Sequence, residues 1–529
     1  MCIRDRDWDA YWGPLSYSLQ YERFSRNMEA DNIMSNELEL IKRAGTRGDT
    51  IAIRSNAGEH TYANLVDRSS SVASSILGNE DDLGESRIAF LATDGYDYVS
   101  IQWGIWRAGG VTVPLCLSAA EPELEYTLTN SETSQVVTTR ELSPKLEALC
   151  ERLNLQLSIF EEMNSETTNA LPDVSVDRRA MILYTSGTTS KPKGVVTTHA
   201  NIQSQIETLV DAWEWQPSDR IPLFLPLHHI HGIINVLSCS LWSGAMIEAF
   251  PGFKMGTILD RVASGVYTVF MAVPTIYVKL IQALEALSSS DRDPIIRGFA
   301  DMRLMVSGSA ALPASVHEQW TALTGQKLLE RYGMTEIGMA LSNPFHGERR
   351  PGSVGQALPL VDVRLVSEKG DPVTAEGEPG EIQVRGPGVF DEYWNKPEVT
   401  AESFDNGWFR TGDMAVLETN YYRIMGRLSV DIIKSGGYKL SALEIEATLL
   451  QHPDIRECAV IGVADDTWGE AVAAAVVLED GKTLDLENLR SWCRDKLSNY
   501  KIPQRLLIEE SLPRNAMGKV TKPAIKDLF

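Results

Sequence analysis

Short apolar runs alternate with amphipathic segments from Asn36 to about Arg427. The runs DTIAIRS, SRIAFLA, QVVTT, RAMILYTSG, VYTVFMAVP and DMRLMVSGSA predict buried strands. The segment TYANLVDRSSSVASSIL has the spacing of an amphipathic helix, and GYDYVSIQWGIWRAGGVTVPL reads as helix, turn and strand. Strands that alternate with helices predict layered α/β architecture with mostly parallel sheets. The later stretch from VDVRLVSEKGDPV to GEIQVRGP instead predicts hairpins, and therefore a β-rich part.

The pattern changes after Arg427. A helix is predicted over SALEIEATLLQ, with Ser441 and Glu444 spaced as a capping box. The strands ECAVIGVAD and AVAAAVVLED, the helix LENLRSWCRDKL and the strand RLLIEE follow. This pattern predicts a second, small α+β domain over residues 428–529 after a large domain over residues 35–427. No flexible linker separates them, so the boundary should lie near Arg427–Asp431.

Residues 1–34 lack this patterning. They have no apolar core followed by a small-residue cleavage site, so they do not form a secretory signal. We interpret them as a tail, with Met34 as a plausible start and an assembly artefact as an open alternative.

One apolar stretch, residues 221–247, contains no acidic residue, lysine or arginine. Its length would suffice for a membrane span. However, Pro222, Pro226, Gly232, Asn235 and three histidines fall inside it, and such residues are costly in a lipid-facing helix. We therefore predict a buried strand, a loop and a core helix rather than a span.

Composition and charge narrow the function classes. The chain has 529 residues, with 49 Lys+Arg against 72 Asp+Glu and a net charge of -23. Such a charge repels nucleic acid and anionic membrane, so local groups must hold any anionic ligand. The six cysteines show no CxxC spacing, which predicts reduced, mostly buried thiols.

The stretch YTSGTTSKPKGVV has the composition of a polyphosphate-binding loop. Its hydroxyls, glycine backbone and lysine charge are the groups that wrap phosphate oxygens. The candidate residues are Thr185, Ser186, Gly187, Thr188, Thr189 and Lys193. It is not a Walker A loop, because Pro192 stands five residues after Gly187. A flexible polar surface loop is the alternative.

Three further stretches carry candidate chemistry. In LLERYGMTEIGMALSNP, Tyr332 can stack on a base, Thr335 can bond a phosphate oxygen, and Glu336 is a hard-oxygen ligand for Mg²⁺. Taken alone, this stretch is weak evidence for a nucleotide site, because an ordinary helix containing a glycine would look similar. In GWFRTGDMA, Asp413 can accept from the two ribose hydroxyls, and PRNAMGKV holds Lys519 in a glycine turn.

Taken together and in this order, YTSGTTSKPKG, YGMTE, RTGD, GR…D…GGYK and PRNAMGK resemble the adenylate-forming superfamily. Its members include acyl-CoA synthetases, adenylation domains of peptide synthetases and beetle luciferases. The resemblance covers roughly residues 35–529. It implies a large AMP- and acyl-binding domain and a small mobile domain. It also implies a reaction in which ATP and Mg²⁺ turn an acid into an acyl-adenylate that CoA then captures.

The resemblance also implies a role for each residue that matches a motif. ATP would be held by the phosphate loop Thr185–Lys193, by the adenine site of Ser309, Ala310, Ala311 and Tyr332, and by Asp413 and Arg427 at the ribose. Thr335 would bind the α-phosphate, Glu336 would bind Mg²⁺, and Lys519 would be the catalytic lysine of the first step. Asp431 would be the hinge, and Lys434, Gly436 and Gly437 would line the pantetheine path. Two positions depart from the family pattern. Ser190 stands where glycine is usual, and a hinge segment one residue longer leaves Val430 as the alternative hinge.

Several stretches are more similar still to malonyl-CoA synthetases of the animal mitochondrial type, including LPLHHIHGIINVL and LLERYGMTEIGMALSNP. Arg331 is the discriminating residue, because most relatives have glycine before this tyrosine. The second carboxylate of malonate would be buried and would need a fixed positive charge, which Arg331 would supply. Methylmalonate is left open as a further substrate. A structural ion pair is the alternative role for Arg331. The resemblance places His229 and Met339 at the acyl pocket, and core packing or a metal are alternatives for His229. Ser243 stands where some bacterial members have a second arginine.

We therefore expect small-molecule substrates, no nucleic-acid partner, no membrane span and a monomer or homodimer. The cytoplasm is the expected compartment, with the mitochondrial matrix as the alternative. Rival functions are a ligase for another short acid and an adenylation enzyme that loads a carrier protein, which the lack of a carrier domain after Phe529 disfavours. A non-enzymatic nucleotide-binding remnant is disfavoured because Lys519, Glu336 and Asp413 are intact.

Overall fold

A computed structural model describes residues 37–93, 95–164, 170–185, 192–435, 438–465, 468–514 and 520–529. The predicted tail lies outside these residues. Seven predicted site residues also lie outside them: Ser186, Gly187, Thr188, Thr189, Gly436, Gly437 and Lys519. Within the described ranges, no helix is long and apolar enough to cross a membrane.

The described residues contain short strands throughout. In chain order they are β1 Ile51–Ser55, β2 Gly58–Thr61, β3 Arg87–Leu91, β4 Val111–Pro114, β5 Gln135–Thr138, β6 Gln156–Ile159, β7 Arg179–Thr185, β8 Lys193–Thr198, β9 Arg220–Leu223, β10 Met246–Ala249, β11 Val269–Ala272, β12 Leu304–Ser307, β13 Leu329–Met334, β14 Gly338–Ser342, β15 Gln356–Ala357, β16 Asp362–Val366, β17 Gly380–Arg385, β18 Glu392–Tyr393, β19 Phe404–Asp405, β20 Trp408–Glu418, β21 Tyr421–Arg427, β22 Ile432–Ser435, β23 Tyr438–Ser441, β24 Ile455–Asp465, β25 Gly469–Leu478 and β26 Arg505–Ile508.

Helices connect and cover these strands. The α-helices are α1 Glu39–Gly45, α2 Tyr62–Leu77, α3 Tyr96–Arg107, α4 Glu121–Asn130, α5 Glu147–Leu153, α6 His199–Ala212, α7 Cys239–Ser243, α8 Met255–Ala263, α9 Pro274–Ala286, α10 Ser289–Ala300, α11 Ala314–Thr324, α12 Pro397–Glu402, α13 Ala442–Leu449, α14 Leu486–Cys493 and α15 Lys522–Lys526. A π-helix spans His231–Ser238, and 3₁₀ turns span Ser143–Lys145, Phe160–Glu162 and Asn499–Lys501.

Three sheets form the larger unit, in the orders β18-β8-β7-β4-β3-β5-β6, β2-β1-β10-β9 and β11-β12-β13-β14-β15. Their central strands run parallel, and antiparallel pairs lie at the edges. All four residues of β4 and of β11 are buried, as expected for parallel strands covered on both faces. The prediction of layered α/β architecture with mostly parallel sheets is confirmed.

The β-rich part is an antiparallel sheet in the order β16-β17-β20-β19, with β21 paired to β20. The predicted hairpin is the β16–β17 pair. The last hundred residues form their own sheet, β23-β22-β25-β24 with β26 beside β25, and have their own apolar cores. Ser441 caps α13, because its Oγ accepts from the Glu444 backbone N–H at 3.2 Å. The carboxylate of Glu444 accepts from Lys501 instead, so only one arm of the predicted capping box forms.

The apolar stretch 221–247 folds as predicted into a strand, a loop and a helix. β9 is followed by a loop and then by the π-helix, which continues into α7. Every residue of the π-helix and of α7 is buried. The wider turn of the π-helix, a feature common at functional sites, was not foreseen from the sequence.

Candidate active site

A cavity of ≈ 540 Å³ brings together groups from four sequence motifs. Its lining includes Lys193 at the start of β8, Glu336 in the β13–β14 turn, Thr411 on β20 and Arg427 at the end of β21. Tyr393 of β18 closes one wall. The fold therefore places lysine, arginine and carboxylate groups from distant parts of the chain around one space that can take an anionic ligand.

The two ends of the predicted phosphate loop lie side by side at the edge of the seven-stranded sheet. Thr185 and Lys193 are register partners at the ends of β7 and β8. The ammonium of Lys193 lies 4.3 Å from the centroid of the Tyr393 ring. Tyr126 of α4 donates its hydroxyl to the Pro192 carbonyl at 2.8 Å, which fixes the end of the segment. Of these end residues, Lys193 lines the cavity.

The YGMTE motif forms the β13–β14 hairpin, not a helix. Glu336 in its turn is 5% exposed, and its Oε1 accepts from the Tyr393 hydroxyl at 2.9 Å. Burial raises the pKa of Glu336, against the Tyr393 hydrogen bond and the charges of Lys193 and Arg427. A further cation in the cavity, beside Lys193 and Arg427, would therefore favour the ionised form of Glu336. Thr335 is half-buried beside it.

The predicted ribose group is assembled around Asp413. Asp413 and Arg427 are register partners on β20 and β21. Arg427 donates Nε–H to one carboxylate oxygen at 2.9 Å, and the Tyr332 hydroxyl donates to the other at 2.6 Å. Because each carboxylate oxygen can accept two hydrogen bonds, both keep capacity for a ribose hydroxyl. Tyr332, predicted to face the base, thereby also orients the Asp413 carboxylate.

The segment predicted to face adenine follows β12. Ser309 has φ 69°, and its hydroxyl lies 3.0 Å from Nδ1 of His231. The side chains of Ala310 and Ala311 are exposed. The Leu312 backbone N–H donates to Oε1 of Glu330 at 3.0 Å. Burial raises the pKa of Glu330 to about 8, against this hydrogen bond, so the carboxyl is held largely protonated at neutral pH.

Arg331 is the least satisfied charged side chain near the site. It is 3% exposed, and within the described part of the chain neither Nε nor Nη2 has a hydrogen-bond partner. Its guanidinium lies against Gly308, where an added Cβ would stand 2.5 Å from Cζ. Burial lowers the pKa of Arg331 to about 9, so the group stays cationic at neutral pH. The structural ion pair considered as an alternative is not found among the described residues.

Two buried polar side chains of the π-helix accompany Arg331. His231 leaves Nε2 without a partner in the described structure, and burial, with the charges of Arg331 and His229, lowers its pKa well below the usual value. Asn235, fully buried, likewise has no partner there for either amide atom. Asn235 follows His231 by four residues, which is close to one turn of a π-helix, so the two side chains leave the helix on about the same side. A polar ligand would satisfy these atoms.

Comparison with known proteins identifies the family. The model of the AMP-binding enzyme family matches residues 40–394, and that of the AMP-binding enzyme C-terminal domain matches residues 444–519. The chain belongs to the AMP-binding enzyme family. A Mus musculus protein named mitochondrial malonate–CoA ligase ACSF3 is 46% identical over 92% of this chain and 90% of its own. An Arabidopsis thaliana malonate–CoA ligase is 40% identical over 97% and 93%.

A solved structure agrees with the computed fold. ATP-bound MatB from Rhodopseudomonas palustris superimposes with a TM-score of 0.83, at 34% identity, over 93% of this chain and 98% of that one. The adenylate-forming fold implied by the sequence motifs is therefore confirmed, as is the pair of a large α/β unit and a small C-terminal unit.

AMP-binding enzymes that form CoA esters use ATP with Mg²⁺. Glu336 is one of three described carboxylates that line the cavity, and it is the one in the YGMTE motif, so it is the candidate ligand for the ion. Among the described residues, no group of three or more His, Cys, Asp or Glu could hold a metal ion. Mg²⁺ prefers one or two carboxylates together with substrate phosphates and water. Glu336 with the ATP phosphates would meet that preference, and the ion would neutralise phosphate charge.

The predicted hinge is a tight turn between β21 and β22. The Asp431 backbone N–H donates to the Arg427 carbonyl at 2.7 Å, and Oδ2 of Asp431 accepts from the Arg427 backbone N–H at 3.0 Å. Asp431 comes so close to Gly426, at φ 124°, that an added Cβ there would stand 2.4 Å from Cβ of Asp431. Lys434, on β22, lies at the surface and pairs with Glu368 at 3.2 Å.

The two residues predicted for the acyl pocket, His229 and Met339, both lie among the described residues. His229 is half-buried, with its ring 4.1 Å from that of His228. Met339 is buried against Gly333 of the hairpin. The unpartnered buried polar atoms of His231 and Asn235 were not foreseen. The available signal was the presence of His231 and Asn235 in the mostly apolar segment HGIINVL.

Proposed function

We propose that this protein is an ATP-dependent, AMP-forming ligase that activates malonate as an acyl-adenylate and transfers it to CoA, giving malonyl-CoA. Family membership and the relatives named as malonate–CoA ligases support the reaction. One structural observation supports the dicarboxylic acid. The buried Arg331 cation has no partner for Nε or Nη2 among the described residues.

A monocarboxylic acid such as acetate would leave that cation unpaired. An uncompensated buried charge costs several kcal/mol. The second carboxylate of malonate can accept from the two unpartnered N–H groups in a bidentate arrangement, which is the geometry that guanidinium favours. His231 and Asn235 supply further hydrogen-bonding atoms, so an apolar acyl tail would leave them unsatisfied as well.

The first step joins two anions. The reacting carboxylate of malonate attacks the α-phosphorus of ATP, the bond to the β-phosphate oxygen breaks, and pyrophosphate leaves. Lys193, Thr335 and the loop donors would offset charge on the phosphates, while Asp413 and Arg427 fix the ribose. Lys519 would stabilise the charge that develops in this step. Holding both reactants in one geometry supplies much of the acceleration.

The second step needs different surroundings. The thiolate of CoA attacks the acyl carbonyl, and AMP leaves with the electron pair of the broken acyl–oxygen bond. We propose that the C-terminal domain, residues 428–529, turns about Asp431 between the steps. It would replace Lys519 with the segment containing Lys434, Gly436 and Gly437 along the pantetheine path. Conformational exchange of this kind is a common way to serve two half-reactions.

Asp431→Pro should separate the two steps. Proline fixes φ and removes the N–H that donates to the Arg427 carbonyl. We expect the variant, at saturating ATP, to retain malonate-dependent exchange of pyrophosphate into ATP and to make little malonyl-CoA. Asp431→Ala, which removes the carboxylate but leaves φ free, is the control. Equal thioester formation by the two variants would place the hinge elsewhere, with Val430 next.

CoA-dependent AMP release across a panel of acids tests the function directly. The panel is acetate, propionate, malonate, methylmalonate and succinate. We expect malonate to give the highest kcat/KM, with acetate and propionate at least about a hundredfold lower because they leave Arg331 unpaired. Equal rates with propionate would reduce the proposal to a short-chain acid–CoA ligase. Succinate and methylmalonate report the length and width of the pocket.

Two further properties are proposed on the relatives alone. The ACSF3 proteins of several animals are named as mitochondrial, which favours the matrix alternative over the cytoplasm. Import of the full chain into isolated mitochondria would test it. The expectation of a monomer or homodimer stays a prediction that light scattering can check.

A further inference from the structure

Three charged side chains form a buried group at the predicted hinge: Lys522, Asp431 and Glu446. The ammonium of Lys522, at the start of α15, contacts Oδ1 of Asp431 and lies 2.7 Å from Oε1 of Glu446. The three side chains are only 11%, 17% and 15% exposed. One cation therefore holds two carboxylates that would otherwise repel each other with little solvent to screen them.

This group is connected to the nucleotide site. Lys522 occupies one oxygen of Asp431, and the other oxygen accepts from the Arg427 backbone N–H at 3.0 Å. The Arg427 side chain donates to Asp413 at 2.9 Å, and Asp413 accepts from Tyr332 at 2.6 Å. A continuous series of hydrogen bonds thus leads from the C-terminal helix to the carboxylate that faces the ribose.

We propose that Lys522 is a positioning residue for ATP, acting through Asp431 and the backbone of Arg427 on the ribose-binding pair. Without its cation, the carboxylates of Asp431 and Glu446 repel each other. Asp431 then turns away from the Arg427 N–H. Arg427 loses its backbone anchor and orients Asp413 less well. The inference rests on the proposed function, because it concerns ATP binding in the adenylation step.

This role differs from that of Lys519, three residues earlier. Lys519 is expected to act on the rate of the first step, whereas Lys522 does not reach the reactants and acts through the ribose site. Malonate binding should be unaffected, because the group does not touch Arg331 or the π-helix. A selective change in the KM for ATP is therefore the signature of positioning, while a loss of folded protein would lower kcat and leave both KM values unchanged.

The test uses the full-length protein and malonate-dependent pyrophosphate exchange. Variants are Lys522→Met, Lys522→Arg and the matched control Lys526→Met, one turn along α15, where the lysine side chain is 51% exposed and pairs with Glu470 at 3.6 Å. For Lys522→Met we expect the KM for ATP to rise about fivefold to tenfold with the KM for malonate unchanged. Lys522→Arg should restore at least half of the loss, and Lys526→Met should match the wild type.

A double-mutant cycle with Asp431→Ala, which removes the oxygen that accepts from the Arg427 N–H, identifies the path. If Lys522 acts through Asp431, the double variant should have about the same KM for ATP as either single variant. Fully additive effects, an equal change in both KM values, or an unchanged KM for ATP in folded Lys522→Met would each overturn the inference. Absence of malonate-dependent exchange in the wild type would instead overturn the proposed function, so the two failures are distinct.

Discussion

Lys519→Ala is expected to lose adenylate formation while largely keeping thioester formation from supplied malonyl-AMP. Lys519 falls within the match to the AMP-binding enzyme C-terminal domain, residues 444–519, so under the proposed alternation of that domain it would serve only the first step. Removing one charge-assisted contact at a developing negative charge costs about 3–4 kcal/mol, or roughly a hundred- to a thousandfold in rate. The two rates are measured separately, by malonate-dependent pyrophosphate exchange and by formation of malonyl-CoA from malonyl-AMP and CoA.

Lys526→Ala is the matched control, because it removes an exposed lysine from the same end of the chain. It should leave both half-reactions close to wild type. If Lys519→Ala lowers both half-reactions equally, Lys519 does not act in one conformation only, and the alternation of the C-terminal domain between steps has no support from this residue.

Most of the fold could be predicted from the sequence, because apolar strand runs and amphipathic helix patterns are both clear in this chain. β11 is a continuous apolar run, and such runs are typical of strands buried on both faces. The helix predicted over TYANLVDRSSSVASSIL spans Tyr62–Leu77, and the Thr61 side chain caps it by accepting from the Asn64 backbone N–H. The sequence could not predict which strands are neighbours. β4 pairs with β7, and β7 pairs with β8, so the two ends of the predicted phosphate loop lie next to each other in the seven-stranded sheet.

The site was readable only where a motif marks it. Residues such as Asp413 and Glu336 stand in short stretches with recognisable composition. Asn235 and His231 do not stand in such a motif. The sequence shows that they are polar residues among apolar ones, but only the structure shows that their buried polar atoms lack partners. The contact of Lys522 with Asp431 joins positions 91 residues apart, and nothing local in the sequence signals such a pair.

Arg331→Gly should invert the acid preference. The distal carboxylate of malonate would lose its partner and remain buried, so kcat/KM for malonate should fall by about 3–5 kcal/mol, or roughly two to three and a half orders of magnitude. The space left beside Gly308 should admit the alkyl group of butyrate. Arg331→Lys should recover part of the malonate activity, because it keeps the charge but loses the planar fork. The measurement is kcat/KM for malonate and for butyrate on each variant.

Arg349→Met separates specificity from structure. Arg349 is half-buried, whereas Arg331 is buried, and it donates to the backbone carbonyls of Lys327 and Pro344, which are structural partners. Its loss should lower activity on both acids in proportion, if it lowers activity at all. A proportional drop for Arg331→Gly as well would show that Arg331 is structural. The dicarboxylate assignment would then depend on the relatives alone. An inversion confined to Arg331→Gly would instead show that one unpaired buried cation selects the acid.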